Sequence, residues 1–158
     1  MEIQALTRES LKGALPVRRR ESSKGDYGRA LLICGSVGYT GAPFLAAEAA
    51  VRSGAGLVFL GVPRDIYEIV AVKLNEAMPF PLPSEDGRLS SRSIEEILRR
   101  LEKCDVCLVG PGLGRSQGVS EVVFEIISKS RVPLVIDADG INALSANINI
   151  LDEAACPI

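Results

Sequence analysis

At 158 residues the chain is long enough for one domain burying roughly two thirds of the surface its unfolded form exposes, and its 47% hydrophobic and 24% charged composition excludes disordered, collagen-like and coiled-coil chains. A net charge of −2 carries no polyanion signal, so no nucleic acid is expected as a partner. No apolar run approaches the roughly 18 to 20 residues that cross a bilayer, and the first residues, with Glu2, Arg8 and Glu9, lack a signal-peptide core, so the expectation is a cytoplasmic protein with no membrane partner.

Residues 1–28 read as a short helix and a linker, with the basic run 17–20 as a solvated segment. The main domain, 29–158, alternates short runs rich in Val, Ile and Leu with helical stretches. The apolar runs 29–36, 56–63, 105–112 and 132–139 each stop at Gly, Pro or Asp, as strands buried on both faces do. The pattern predicts helices over 42–53, 64–74, 93–103 and 118–130. Strand followed by helix, repeated, predicts an α/β fold: three αβα layers around a mostly parallel sheet.

Local signals fix the helix ends. Thr40 is placed to cap the first of these helices, Pro43 falls in its first turn, and Glu48 and Arg52 are spaced for an ion pair. Gly54 supplies the stop, and Ala46, Ala47, Ala49 and Ala50 form a small face that lets the helix lie close to the sheet. Residues 77–91 hold three prolines and then a polar turn, which predicts an edge strand or extended connection followed by a loop. Ser93 and Glu96 have capping-box spacing ahead of the apolar stripe Ile94, Ile97, Leu98 and Leu101. The four cysteines, Cys34, Cys104, Cys107 and Cys156, read as reduced thiols, and the Cys104–Cys107 pair as two thiols at a helix–strand join, since the chain has no histidine to complete a zinc site.

In an open parallel sheet ligands bind beyond the carboxyl ends of the strands, and three of those ends are unusual. The first, "GSVGYTGA", spaces Gly35, Gly38 and Gly41 by three ahead of a helix start; it reads as an anion-binding loop or as a tight turn that docks the helix. The second, "VGPGLGRS", packs Gly110, Gly112 and Gly114 around a proline and reads as a loop lying against a ligand. The third, "VIDADGINAL", offers Asp137 and Asp139: a cation or hydroxyl site, or a helix cap at Asp139, with Asp137 the better polar-site candidate.

The succession "KGDYGRALLICGS", "GYTGAPFLAAEAAVRSGAGLV", "NEAMPFPLP", "VGPGLGRS" and "VIDADGINAL", from Lys24 to Leu144, resembles the ADP- or ATP-dependent NAD(P)H-hydrate dehydratases of the ribokinase-like superfamily. The resemblance implies a ribokinase-like fold and a repair reaction that removes the water added to C6 of the nicotinamide ring. ADP or ATP with Mg2+ would turn the hydroxyl into a phosphate leaving group, expelled with help from the ring nitrogen. By matching motif, Ala42 and Gly112 would line the pocket for NADHX or NADPHX, with Tyr39, Gly41 and Gly114 as neighbours. The family's His-containing loop, Lys-Gly loop and Gly-Thr-Gly-Asp helix start, which carries the catalytic aspartate, have no counterpart here. The expectation is therefore the substrate-side half of the enzyme, with no catalytic residue of its own, inactive when isolated. Its expected partners are the hydrated dinucleotide, the nucleotide, further copies of the chain in a homo-oligomer, and a C-terminal companion fragment. The rival readings are a ribokinase-like small-molecule kinase and a catalytically inert nucleotide-binding module.

Overall fold

The computed structural model describes residues 5, 7–14 and 17–158. In chain order the elements are α1 (Arg8–Ala14), β1 (Arg29–Ile33), α2 (Gly41–Arg52), β2 (Leu57–Pro63), α3 (Tyr67–Ala71), β3 (Met78–Leu82), β4 (Ser84–Glu85), β5 (Arg88–Leu89), α4 (Ile94–Leu101), β6 (Val106–Val109), α5 (Gln117–Lys129), β7 (Leu134–Ile136) and α6 (Asp139–Leu144). Five strands make one sheet in the order β3-β2-β1-β6-β7, and every neighbouring pair is parallel. No helix among the described residues is long and apolar enough to cross a membrane.

Alternation along the strands divides the core in two. In β1, Leu31 and Ile33 point to the face covered by α4, α5 and α6, where they join Ile97, Leu101, Val119, Val123, Ile126 and Ala143. Ala30, Leu32 and Cys34 point to the opposite face, where Ala47, Ile66 and Val70 cover them. That is the expected αβα layering, and the period of two along each strand produces it. Pro79 and Pro81 are tolerated because β3 is an edge strand, in register with β2 on one side only.

Several local expectations are corrected. Thr40 makes no side-chain cap: its φ −70°, ψ −17° is already helical, and a capping residue needs extended backbone. Ser93 fails in the same way at φ −81°, ψ −14°, its hydroxyl donating instead to the Ser90 carbonyl at 2.6 Å while Glu96 pairs with Arg99 and Arg100. Ser116, at φ −159°, ψ 165°, does cap, accepting from the Val119 amide at 3.2 Å. The helix expected over 64–74 is a 3-10 turn, Arg64–Ile66, followed by the short α3. Of the alanine face, Ala47 is buried and Ala46 and Ala50 half-buried, but Ala49 faces solvent. The polar turn in 77–91 is an ordered hairpin, β4 with β5. The basic run 17–20 is exposed as expected, and within it Arg18 stacks over the Tyr27 ring at 4.5 Å and donates to the Gly54 carbonyl at 3.3 Å.

Other signals hold. Arg52 pairs with Glu48 at 2.7 Å, and Gly54, at φ +101°, ends α2. Cys104, in the connection from α4 to β6, and Cys107, within β6, are buried thiols.

Candidate substrate-binding rim

The chain runs outward from β1 through β2 to β3, then returns to the other side of β1 for β6 and β7. The topological switch point therefore lies between β1 and β6, whose ends are level because Ile33 is in register with Val109. Loops leaving such a pair diverge and open a crevice. Here those loops are 34–40 and 110–116, the two glycine-rich segments that the sequence singles out.

The two loops are sewn together. The Gly35 amide donates to the Pro111 carbonyl at 2.8 Å, and the buried Ser36 hydroxyl donates to the Gly112 carbonyl at 2.8 Å. Gly112 has φ +70°, and a Cβ placed on it would stand 2.8 Å from the Cβ of Ala42 and 3.1 Å from that of Tyr39. Three of the expected site residues thus meet, although some 70 positions separate Ala42 from Gly112 in the chain. The bare face of Gly112 is occupied by these neighbours, so its glycine is required by contact of the second loop with Tyr39 and with the first turn of α2. Open surface lies next to it: Gly41 has nothing within 4 Å of where its Cβ would be, and Tyr39 is 59% exposed.

The third loop joins on the other side. Asp139 begins α6 instead of capping it, after Ala138 at φ +49°, and its Oδ2 accepts from the Gly114 amide at 2.8 Å while Oδ1 accepts from the Asn142 side chain at 3.0 Å. Asp137 keeps its main chain in the fold, its amide donating to Val109 and its carbonyl accepting from Gly140, and its side chain lies exposed at the rim. The three strand ends do gather on one edge of the sheet.

Sequence reasoning missed the hairpin's part in this. The Val37 amide donates to the Gly87 carbonyl at 2.9 Å, so the β4–β5 turn is fastened to the first loop. Arg88 then crosses Gly114, its Nε 2.8 Å from where a Cβ would be, and that Nε is buried without a hydrogen-bond partner. The only cue was the Asp86-Gly87 turn pair, which gives a hairpin but not where it lands. Gly114 lines a cleft of about 330 Å³ between α5 and α6, and Arg88 lines another of about 370 Å³ between the hairpin and the start of α5.

Cys34, directly after β1, is a buried thiol. Burial pushes the Cys34 thiol far above its usual range, with Cys107 and Asp137 adding to the shift, so it stays protonated at neutral pH. Among the described residues no group of three or more Cys, Asp and Glu side chains is placed to hold a metal ion.

The family model described as NAD(P)H-hydrate dehydratase matches residues 30–158. The bifunctional NAD(P)H-hydrate repair enzyme of Moorella thermoacetica is 42% identical over 147 residues, covering 92% of this chain and 28% of that protein. The ADP-dependent (S)-NAD(P)H-hydrate dehydratase of Streptococcus pneumoniae is 38% identical over 130 residues, covering 81% of this chain and 42% of that one. Among solved structures, a ribokinase-like superfamily protein from Enterococcus faecalis superposes with a TM-score of 0.77 at 26% identity, covering 90% of this chain and 48% of that one. The ADP/ATP-dependent NAD(P)H-hydrate dehydratase of Bacillus subtilis, co-crystallised with ATP and Mg2+, superposes with a TM-score of 0.65 at 28% identity, covering 85% and 45%. The chain spans less than half the length of each of these proteins. With the matched segment running from β1 to the last residue and the fold agreeing, the chain belongs to the NAD(P)H-hydrate dehydratase family.

Proposed function

We propose that residues 29–158 form the substrate-side half of a nucleotide-dependent dehydratase that restores hydrated NADH or NADPH, with residues 1–28 as a leading helix and linker. The observation that carries this reading is the meeting of Gly112, Ala42 and Tyr39 at the switch point between β1 and β6. These are the residues that the family resemblance assigns to the dinucleotide. In the reading, the exposed surface beside them, with Gly41 and Gly114, receives the hydrated ring through main-chain contacts, and Asp137 offers a carboxylate to a hydroxyl at the edge. Fixed amides and a shaped wall orient the ring and exclude water without proton chemistry of their own. ADP or ATP with Mg2+ supplies the leaving-group chemistry when bound, and the groups that hold them lie in a further polypeptide segment.

The sheet supports the need for that segment. Parallel strands are normally covered on both faces, yet Val135 of β7 is 52% exposed and Val106 and Leu108 beside it are only half-buried. On the same face Leu45 of α2 is 65% exposed. A companion that covers this surface would complete the layer. The four free thiols fit a reducing cytoplasm, and light scattering of the assembled protein tests the expected homo-oligomer.

The deciding assay follows regain of the reduced-nicotinamide absorbance from hydrated NADH, with ADP or ATP and Mg2+. It is run on the chain alone and on the chain joined by a polypeptide supplying the remainder of the fold. Turnover is expected only in the second case. No turnover in either, with nucleotide still bound, would move the protein to an inert binding module; phosphorylation of a small alcohol would make it a kinase.

A further inference from the structure

The loop from Gly110 to Gly114 contains three glycines with positive φ, at +131°, +70° and +71°. Such a stretch has more conformational freedom to lose than any other residue type would give it. Something must hold it in one shape if its main chain is to meet a ligand. Part of the restraint is backbone: Gly110 N to Ile33 O at 3.2 Å, Gly35 N to Pro111 O at 2.8 Å and Leu113 N to Gly110 O at 3.1 Å. These secure the first half of the loop. The Gly112 carbonyl and the Gly114 amide are held by side chains.

We infer that Ser36 and Asp139 are positioning residues that clamp this glycine loop from its two flanking loops and so set its shape for the dinucleotide. Ser36, 1% exposed, reaches from the loop after β1 to the Gly112 carbonyl; Asp139 reaches from the start of α6 to the Gly114 amide. Asp139 is itself braced, because its second oxygen accepts from Asn142. Both oxygens are therefore used as acceptors, a task that suits an ionised carboxylate, which carries no proton to donate. The bond to Gly114 is charge-assisted and stronger than a neutral one. Ser36 lies buried behind the loop, and Asp139, at the edge of the cleft between α5 and α6, has both oxygens engaged by Gly114 and Asn142; each acts through the loop.

The inference rests on the proposed dinucleotide site, and its test separates the two. Amide hydrogen exchange of Gly112, Leu113 and Gly114 is measured in the full chain and in Ser36→Ala, Asp139→Ala and Asp139→Asn, alongside NADPH titrations followed by fluorescence. In both alanine variants exchange of the loop amides rises while that of Ile97 and Leu101 in α4 stays unchanged. NADPH then binds about tenfold more weakly, the loss of one hydrogen bond to a charged or buried partner. Asp139→Asn recovers most of the affinity, because Asn142 can turn its amide so that residue 139 still offers an oxygen to Gly114. Loop exchange unchanged in the alanine variants overturns the clamp, and so does faster exchange with unchanged affinity. Should Asp139→Ala not fold, Ser36→Ala decides by the same two readings. If the unsubstituted chain does not bind NADPH, the proposed function fails there, and the exchange readings alone decide whether the clamp exists.

Discussion

Gly112 cannot carry a side chain without moving Tyr39 at the end of the first loop or Ala42 in the first turn of α2. Its φ of +70° adds strain for any other residue, so Gly112→Ala is expected to lower stability by roughly 1–3 kcal/mol and Gly112→Val by more, read by urea denaturation. In the proposed dehydratase both substitutions should weaken dinucleotide binding, through displaced neighbours and not through a filled pocket. Unchanged stability of Gly112→Ala would mean that the two loops are not packed as described. At this scale the sequence named Gly112 and Ala42 through motif wording, and their contact was invisible, because residues 70 apart in the chain carry no spacing signal. Arg88 was not named at all: a lone arginine after a turn looks like any solvated charge until the hairpin is folded onto Gly114.

Caps and ion pairs belong to single elements. Ser116 accepts from the Val119 amide and Thr40 accepts nothing, so Ser116→Ala should lower stability by about 1 kcal/mol and Thr40→Ala by much less, compared in the same urea series. In α4, Glu96 is held below the ordinary glutamate range, first by its hydrogen bond from Arg99 and then by Arg100. A lowered folded-state value means that the stabilisation is complete above the unfolded-state value and is lost as pH falls through the folded one. Glu96→Gln is thus expected to be less stable than the parent at neutral pH, by about 0.5 kcal/mol for partly exposed partners, with the gap closing in acid below the ordinary glutamate range and shrinking in high salt. A gap that persists at low pH would assign the effect to packing. Helix and strand types were legible in the periodicity, while caps were not, since Thr40 and Ser93 have the right side chains on the wrong backbone.

For the whole molecule, the uncovered side of the sheet makes a prediction of its own. Val135→Asp should leave the stability of the chain within about 0.5 kcal/mol, because Val135 is already 52% exposed. The same charge would be buried under a covering segment, so the variant should fail to assemble with the remainder of the fold in a pull-down; assembly unaffected by it would place the partner elsewhere. The thiols give a second reading of the same packing. Burial raises Cys34, Cys104 and Cys107 above the usual thiol range, whereas Cys156 is only half-buried, so a thiol reagent at neutral pH should modify Cys156 first and the others only on unfolding, as peptide mass mapping would record.

Hydrophobic period and turn residues determined, without any structure, that this chain alternates buried strands with amphipathic helices and that its unusual glycines follow strand ends. Such signals are local, written in each residue's own neighbourhood along the chain. Strand order was decided only by the tertiary structure, since β6 returning beside β1 is what turns two separate glycine loops into one crevice. Asp139 shows the same limit: its sequence position suggests a helix cap, and only the approach of α6 to the loop after β6 gives its carboxylate the Gly114 amide.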